Sequence, residues 1–297
     1  MNILLTNDDG IFALGIAAMA KALSKLGTVY VAAPASEQSG VSQALTFRHP
    51  LLVKDVFVHG QRWGWAVEGT PADCVKVGVN FLCPEKPDIV VSGINWGQNC
   101  GTNILYSGTL GAIFEAGMYH IPGFGVSIQD DELPEFDRAA DIACQIIEKI
   151  CVKLREQGSR LDGCGNPEPQ LFNINVSREA VKMETPEIVV CPMDTTPYAT
   201  EMDGHSDAFG RACCWLVPNG RSRRPECMTD MNGIGAGKVT VTPLRLDMTY
   251  LERLEEVGSW ELTASLKEHQ KPEDEDFPHV PSIKARTVMN HKVKREA

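Results

Sequence analysis

Long apolar runs are missing from this chain. No window approaches the length of a membrane span. The apolar stretch after Met1 also meets Asn7-Asp8-Asp9 too early, and without a basic segment before it, to read as a secretory signal. Basic charge is short too: 28 lysines and arginines face 39 aspartates and glutamates, for a formal charge of −11. That excludes a general nucleic-acid binder, because phosphate backbones are held mainly by Lys and Arg, while a single mononucleotide stays open. The ten cysteines show no Cys-x-x-Cys spacing and read as reduced core or surface thiols, so cytoplasm is the expected compartment. The first strand-to-helix turn lacks the Gly-x-Gly-x-x-Gly fingerprint, which counts against NAD or FAD. Internal repeats are absent. What is present, 43% hydrophobic and 23% charged residues over 297 positions, suits a soluble globular chain with room for a large core.

Asn2-Ile3-Leu4-Leu5-Thr6 reads as a short buried strand. Residues 14–26 then repeat apolar side chains at helical spacing (Leu14, Ala17, Ala18, Leu23, Leu26), with Gly27 closing the helix. Residues 28–33 give a second buried strand ended by Pro34, and strand, helix and strand of these lengths make a right-handed crossover in a parallel sheet. Residues 51–58 and 63–67 read as short strands about a turn at Gly60. Thr70 caps a helix that has Pro71 at its first position and runs to about Phe81. Strands follow at 87–93 and 123–128, helices at 110–118 and 136–154. Beyond Gln157 come a glycine and proline linker at 158–170, strands at 171–176, 187–191 and 238–244, and a turn-rich stretch at 192–232 in which only 213–217 is strand-like. The expected fold is α/β: a Rossmann-like, mostly parallel sheet flanked by helices. A core at 1–157 and an irregular C-terminal extension at 158–266, with a hairpin suited to self-association, form one domain. Residues 267–297 are charged and carry too little apolar surface to order themselves.

In open parallel sheets ligands collect beyond the carboxyl ends of the strands. There the first strand delivers Asp8 and Asp9, the loop after the second delivers Ser39, and the loop after residues 87–93 delivers Asn95. Two carboxylates, a hydroxyl and an amide oxygen form an all-oxygen set suited to Mg2+ or Mn2+ rather than zinc. The alternative for Asn7-Asp8-Asp9-Gly10 is a polar turn and helix cap. Ser107-Gly108-Thr109 opens the helix at 110–118 and offers a phosphate free N–H groups at the positive end of the dipole, unless it is an ordinary cap. A cation beside a phosphate cradle implies phosphoryl chemistry. His49, His59 and His120 read as structural, and Cys213-Cys214 as packing. His205, in Asp203-Gly204-His205-Ser206-Asp207, is polar enough to approach a site from the extension.

Asn7-Asp8-Asp9-Gly10, Gln38-Ser39-Gly40, Gly69-Thr70-Pro71-Ala72-Asp73, Ser92-Gly93-Ile94-Asn95-x-Gly97-x-Asn99 and Tyr106-Ser107-Gly108-Thr109, in this order, resemble the SurE family of survival proteins. The resemblance is dense over 1–128 and returns at 171–176 and 239–244. It implies a metal-dependent 5′/3′-nucleotidase, also called an acid phosphatase, that acts on nucleoside monophosphates as a homodimer or homotetramer. It places one Mg2+ or Mn2+ per subunit on Asp8, Asp9, Ser39 and Asn95, with catalysis on Asp8 and Asp9. The substrate phosphate falls on Gly40, Asn95, Asn99, Ser107, Gly108 and Thr109. Attack by a metal-activated water is expected, because the opening stretch lacks the Asp-x-Asp spacing of haloacid-dehalogenase-type phosphatases; whether one aspartate is base or nucleophile stays open. Broader phosphomonoester or polyphosphate hydrolysis would use the same site. A regulatory nucleotide binder without catalysis predicts a broken ligand set, and all four ligands are present. Ala35-Ser36-Glu37-Gln38 departs from the family's frequent Arg-Asn-Gln, and Ser42 and Gln43 stand where glycine and histidine are frequent, which bears on substrate preference.

Overall fold

The first strand, β1 (Asn2–Thr6), divides three fully buried side chains between two cores, as the alternation of a pleated strand requires. Ile3 and Leu5 join the core beneath helices α1 (Leu14–Leu23) and α4 (Phe136–Glu156), with Ile16, Met19, Ala143 and Ile147. Leu4 faces the other way, toward Val75 of α2 (Pro71–Val77) and Ala112 and Ala116 of α3 (Gly108–Met118). A strand buried on both faces belongs to a parallel sheet covered by helices on both sides. The computed structural model that shows this describes residues 1–129, 134–158, 169–197, 201–217 and 226–263.

Among the described residues the sheet has nine strands in the order β3 (Val53–Val58), β4 (Gln61–Val67), β2 (Thr28–Pro34), β1, β5 (Ile89–Trp96), β6 (Gly123–Ile128), β7 (Leu171–Val176), β11 (Val239–Leu244) and β8 (Ile188–Val190). Only the β3–β4 and β7–β11 pairings are antiparallel. β1 lies between β2 and β5 and runs parallel to both, with Ile3 opposite Val29 and Ile89. The chain therefore leaves β1 toward one side and later returns on the other. This puts a topological switch point, where such sheets bind ligands, at the carboxyl end of β1.

The mostly parallel α/β sheet is the one the periodicity predicts, with three local differences. Residues expected to pack on the sheet as an irregular extension instead continue it, with β7 paired to β6, β11 to β7 and β8 to β11. The helix expected at 14–26 stops at Leu23, and Gly27 is not its cap. Gly27 lies outside the left-handed region, and a Cβ there would stand 2.0 Å from the Met1 carbonyl oxygen, so the close pass of the chain start calls for glycine. The helix that Thr70 caps ends at Val77 and continues as a wider π-turn to Leu82.

Residues Glu201–Val217, with the described residues from Met248 to Thr263, form a second unit. It holds a hairpin, β9 (Glu201–Ser206) and β10 (Ala212–Val217), whose strands are exposed along their whole length. Asp207 holds the hairpin turn, accepting from the backbone N–H of Phe209 and Arg211 and from Arg211 Nε. His205 pairs with Asp203 on this hairpin at 2.9 Å, and Cys213 and Cys214, expected to pack, are exposed there. β9 is too polar to read as a strand by itself. The charged tail and most of the expected linker lie outside the described residues. Among the described residues no helix is long and apolar enough to cross a membrane.

Gly15 tests the packing of α1 on β5, because a Cβ there would stand 2.0 Å from the Ile94 carbonyl oxygen. Gly15→Ala gains roughly 1 kcal/mol of helix propensity, but forcing α1 off the sheet costs at least the 1–3 kcal/mol typical of overpacking. A lower urea midpoint at unchanged slope is the expected result; a variant as stable as the parent contradicts the close approach.

Candidate active site

Beyond Thr6 the chain turns on Asn7. Its buried amide closes on Gly10 twice, Nδ2 donating to the Gly10 carbonyl at 2.9 Å and Oδ1 accepting from the Gly10 N–H at 3.2 Å. Gly10 has a φ of +100°, which favours glycine. Asn7 and Gly10 thus make the turn, and the two aspartates between them are free for other work. The helix-cap alternative fails, because α1 starts after Ala13 and receives no side-chain cap.

Asp8, only 4% exposed, meets the start of α3. Its Oδ1 accepts from the Thr109 hydroxyl at 2.6 Å, and the Thr109 backbone N–H also stabilises the carboxylate. Gly108 makes this approach possible: a Cβ there would lie 2.9 Å from the Cβ of Asp8 and 3.0 Å from its Oδ2. The positive end of the α3 dipole therefore sits against Asp8. Ser107 caps the helix, its Oγ accepting from the Leu110 N–H at 3.2 Å.

The other predicted residues arrive on loops keyed to the same point. The Gln38 N–H donates to the Asp8 carbonyl at 2.7 Å, and the Ser42 N–H to the Tyr106 carbonyl at 2.9 Å, fastening the loop that carries Ser39 and Gly40. Ser39 is exposed and donates to Glu37 Oε1 at 2.7 Å, while Gly40, at φ +74°, has open space around it. The register of β5 against β6 shifts between Ser92 and Asn95, an irregularity of the kind that re-aims side chains near active sites. The Asn95 Nδ2 donates to the Gly97 carbonyl at 2.6 Å, which commits the amide's donor and keeps its oxygen as an acceptor. Asn99 is buried, and its Nδ2 donates to Ser127 Oγ (2.9 Å) and to Thr109 Oγ1 (3.4 Å). Asp8, Ser39, Gly40, Asn95, Asn99 and Ser107 line one cleft of about 620 Å³. Gly108 and Thr109 stand behind Asp8, with Thr109 fully buried, and Asp9 lies beside the Trp96 N–H, 3.4 Å from its Oδ2.

Several supporting residues escape a reading of the sequence. Asn175 clamps the Asn99 backbone, accepting its N–H at 2.8 Å and donating to its carbonyl at 3.2 Å; Asn173 donates to the same carbonyl at 2.7 Å. Two amides at i and i+2 in an otherwise apolar strand were the available signal. Asp230 accepts from the N–H groups of Gly101, Asp194 and Met231, which fixes the end of the Asn95 loop. No local pattern announces that long-range contact. Trp96, Asn103, Tyr106 and Gln129 also line the cleft.

The site is negative. Burial pushes the Asp8 carboxyl up from the ordinary carboxylate range, against the pull of the Thr109 hydrogen bonds, and Glu37 adds to the rise. Asp9 is pushed up to about 6, first by burial and then by the charge on Asp8. Among the described residues neither aspartate has a Lys or Arg among the charges acting on it. No group of three His, Cys, Asp or Glu side chains is suited to a metal there either, so a cation would rest on the mixed oxygen set. That set fits a hard divalent ion: Asp8, with Asp9 next to it in the chain, lines a cleft whose other polar side chains are neutral hydroxyls (Ser39, Tyr106, Ser107) and amides.

Residues 3–200 match the family model for survival protein SurE. The 5′-nucleotidase SurE of Rhodopirellula baltica is 40% identical over 263 residues, covering 88% of this chain and 99% of that protein. The 5′-nucleotidase SurE of Geobacter sulfurreducens is 37% identical over 274 residues, covering 92% and 98%. A crystal structure of the SurE protein from Aquifex aeolicus superposes with a TM-score of 0.70 at 32% identity, over 87% of this chain and 99% of that one.

The raised Asp9 has a pH signature in metal-free protein. Its folded value of about 6 exceeds the ordinary 3.8, so the native state binds more protons between these values. Asp9's contribution to stability is greatest at low pH and is lost as pH rises through about 6. Asp9→Asn removes the ionisation. In chelator, the Tm of the variant minus that of the parent is expected to be positive near pH 7.5 and to shrink toward zero near pH 4. A variant no more stable than the parent near pH 7.5 contradicts the uncompensated pair.

Proposed function

The chain belongs to the SurE family, and on that premise we propose that it hydrolyses nucleoside 5′- and 3′-monophosphates to nucleoside and phosphate, using one Mg2+ or Mn2+ per subunit. The observation that carries this reading is Asp8 held against the start of α3 beside Asp9, at the switch point of the sheet. Asp8, Asp9, Ser39 and Asn95 would hold the cation. When bound, such an ion supplies Lewis-acid polarisation of the phosphoryl oxygens and a water acidic enough to attack phosphorus. The water oxygen forms the new bond to phosphorus, the ester P–O bond breaks, and the departing nucleoside oxygen takes up one proton to leave as the hydroxyl, balancing a proton that the water gives up.

The chain's own groups do the positioning. The Ser107 hydroxyl and Gly40 in its open loop would meet the phosphate oxygens, whose growing charge the helix dipole favours, whereas the Thr109, Leu110 and Gly111 N–H groups are already committed to Asp8 and Ser107. Thr109 contributes through Asp8, since its hydroxyl is already donated there, and Asn99 steadies Thr109. Self-association belongs to the same proposal. A two-stranded hairpin is marginal alone, and β9 and β10 expose Met202 at 69%, Trp215 at 71% and Leu216 at 63%, a surface suited to a second copy in a homodimer or homotetramer.

Phosphate release from 5′- and 3′-nucleoside monophosphates, glycerol phosphate and polyphosphate, assayed with Mg2+ or Mn2+, tests the reading. Nucleotides are expected to be the best substrates, with activity lost in chelator and restored by metal. Asp8→Asn should be inactive whatever metal is added. Activity that survives chelation contradicts the proposal, as does release from none of the panel. Sedimentation of the same preparation should show a dimer or tetramer, and a monomer at micromolar concentration contradicts the role given to the hairpin.

A further inference from the structure

The cleft carries aromatic surface that phosphate chemistry does not use. Trp96 and Tyr106 both line it and are each 53% exposed, whereas Asp8 and Ser107 in the same lining are 4% and 6% exposed. The cleft thus combines buried polar groups with exposed aromatic surface in one lining.

The backbone at Trp96 is tied down on both sides. Its own N–H points to Asp9 Oδ2 at 3.4 Å, the next residue's N–H donates to the Ile128 carbonyl at 3.0 Å, and the Asn95 Nδ2 closes on the Gly97 carbonyl at 2.6 Å. Gly97, at φ +113°, lets the chain turn sharply there. These bonds tie the indole's backbone to the carboxylate end of the site. An aromatic side chain on a backbone already fixed loses little further freedom when a flat ligand settles on it.

We infer that Trp96 is the platform on which the nucleobase stacks, a specificity-determining role that rests on the nucleotidase reading and deepens it. A nucleoside monophosphate has one phosphate, which the proposed cation and the buried polar groups would take, and one flat π-face, which suits the exposed aromatic surface beside them. The volume of about 620 Å³ lies inside the roughly 300–1,000 Å³ usual for small-molecule sites. Stacking accepts any base, because every base has a π-face, so Trp96 separates nucleotides from base-free phosphomonoesters more than it separates one nucleotide from another.

The test compares the parent, Trp96→Ala and Trp96→Phe on adenosine 5′-monophosphate and ribose 5-phosphate with Mn2+, and measures adenosine binding to the same proteins by calorimetry. In Trp96→Ala the ratio of kcat/KM for the nucleotide over the sugar phosphate is expected to fall about 5- to 150-fold, the span of base–aromatic stacking, and to do so through KM. Adenosine affinity should fall with it, and Trp96→Phe should recover most of both. An unchanged ratio, or an equal loss on both substrates, overturns the assignment. If the parent releases phosphate from neither substrate, the nucleotidase reading fails. Adenosine affinity then decides the assignment alone: weakened binding in Trp96→Ala supports it, and undiminished binding overturns it.

Discussion

The hydrogen bond from the Thr109 hydroxyl to the Asp8 carboxylate, 2.6 Å long and buried, joins the end of β1 to the start of α3. Taking a carboxylate out of water is costly unless donors replace the lost hydration, and here the hydroxyl, the Thr109 N–H and the helix dipole replace part of it. The contact exists only because residue 108 has no Cβ. Other parts of the site take their positions from it. The Ser39 loop is tied to the Asp8 carbonyl, and Asn99 reaches Thr109 from a backbone held by Asn173 and Asn175.

The compensation is incomplete. Burial still holds both aspartates above the usual carboxylate range, and Glu37 adds a third negative charge nearby. Natural sequences give up stability at functional sites, and adjacent carboxyls without a basic partner, in a chain already at −11, are such a place. Under the proposed function a divalent cation would offset that repulsion and put positive charge where a phosphate monoester needs it, so that one electrostatic deficit would account for both the metal and the chemistry.

The central sheet was legible because its strands are buried on both faces: short apolar runs between turn signals can be little else when helical periods separate them. That Asp8, Ser39 and Asn95 come to one cleft, with Asp9 beside Trp96, was legible because a parallel sheet collects its strand ends at one edge. What the sequence concealed was long-range or chemically ambiguous. Gly27 looks like a helix cap until the Met1 carbonyl is seen passing it, and β9 is a strand only because β10 pairs with it. Thr109 has the composition of a phosphate contact, yet its hydroxyl is spent on Asp8, which periodicity cannot reveal. Asp230 and Asn175 brace the Asn95–Gly101 loop from far along the chain, where side-chain type alone says nothing about partners.

Calorimetric titration of Mn2+ into the metal-free chain and its Asp8→Asn variant tests the link between the buried carboxylates and the cation most directly. One ion per chain, with affinity lost in the variant, is the predicted result. Binding that the variant leaves undiminished, or no binding to the parent, would contradict it.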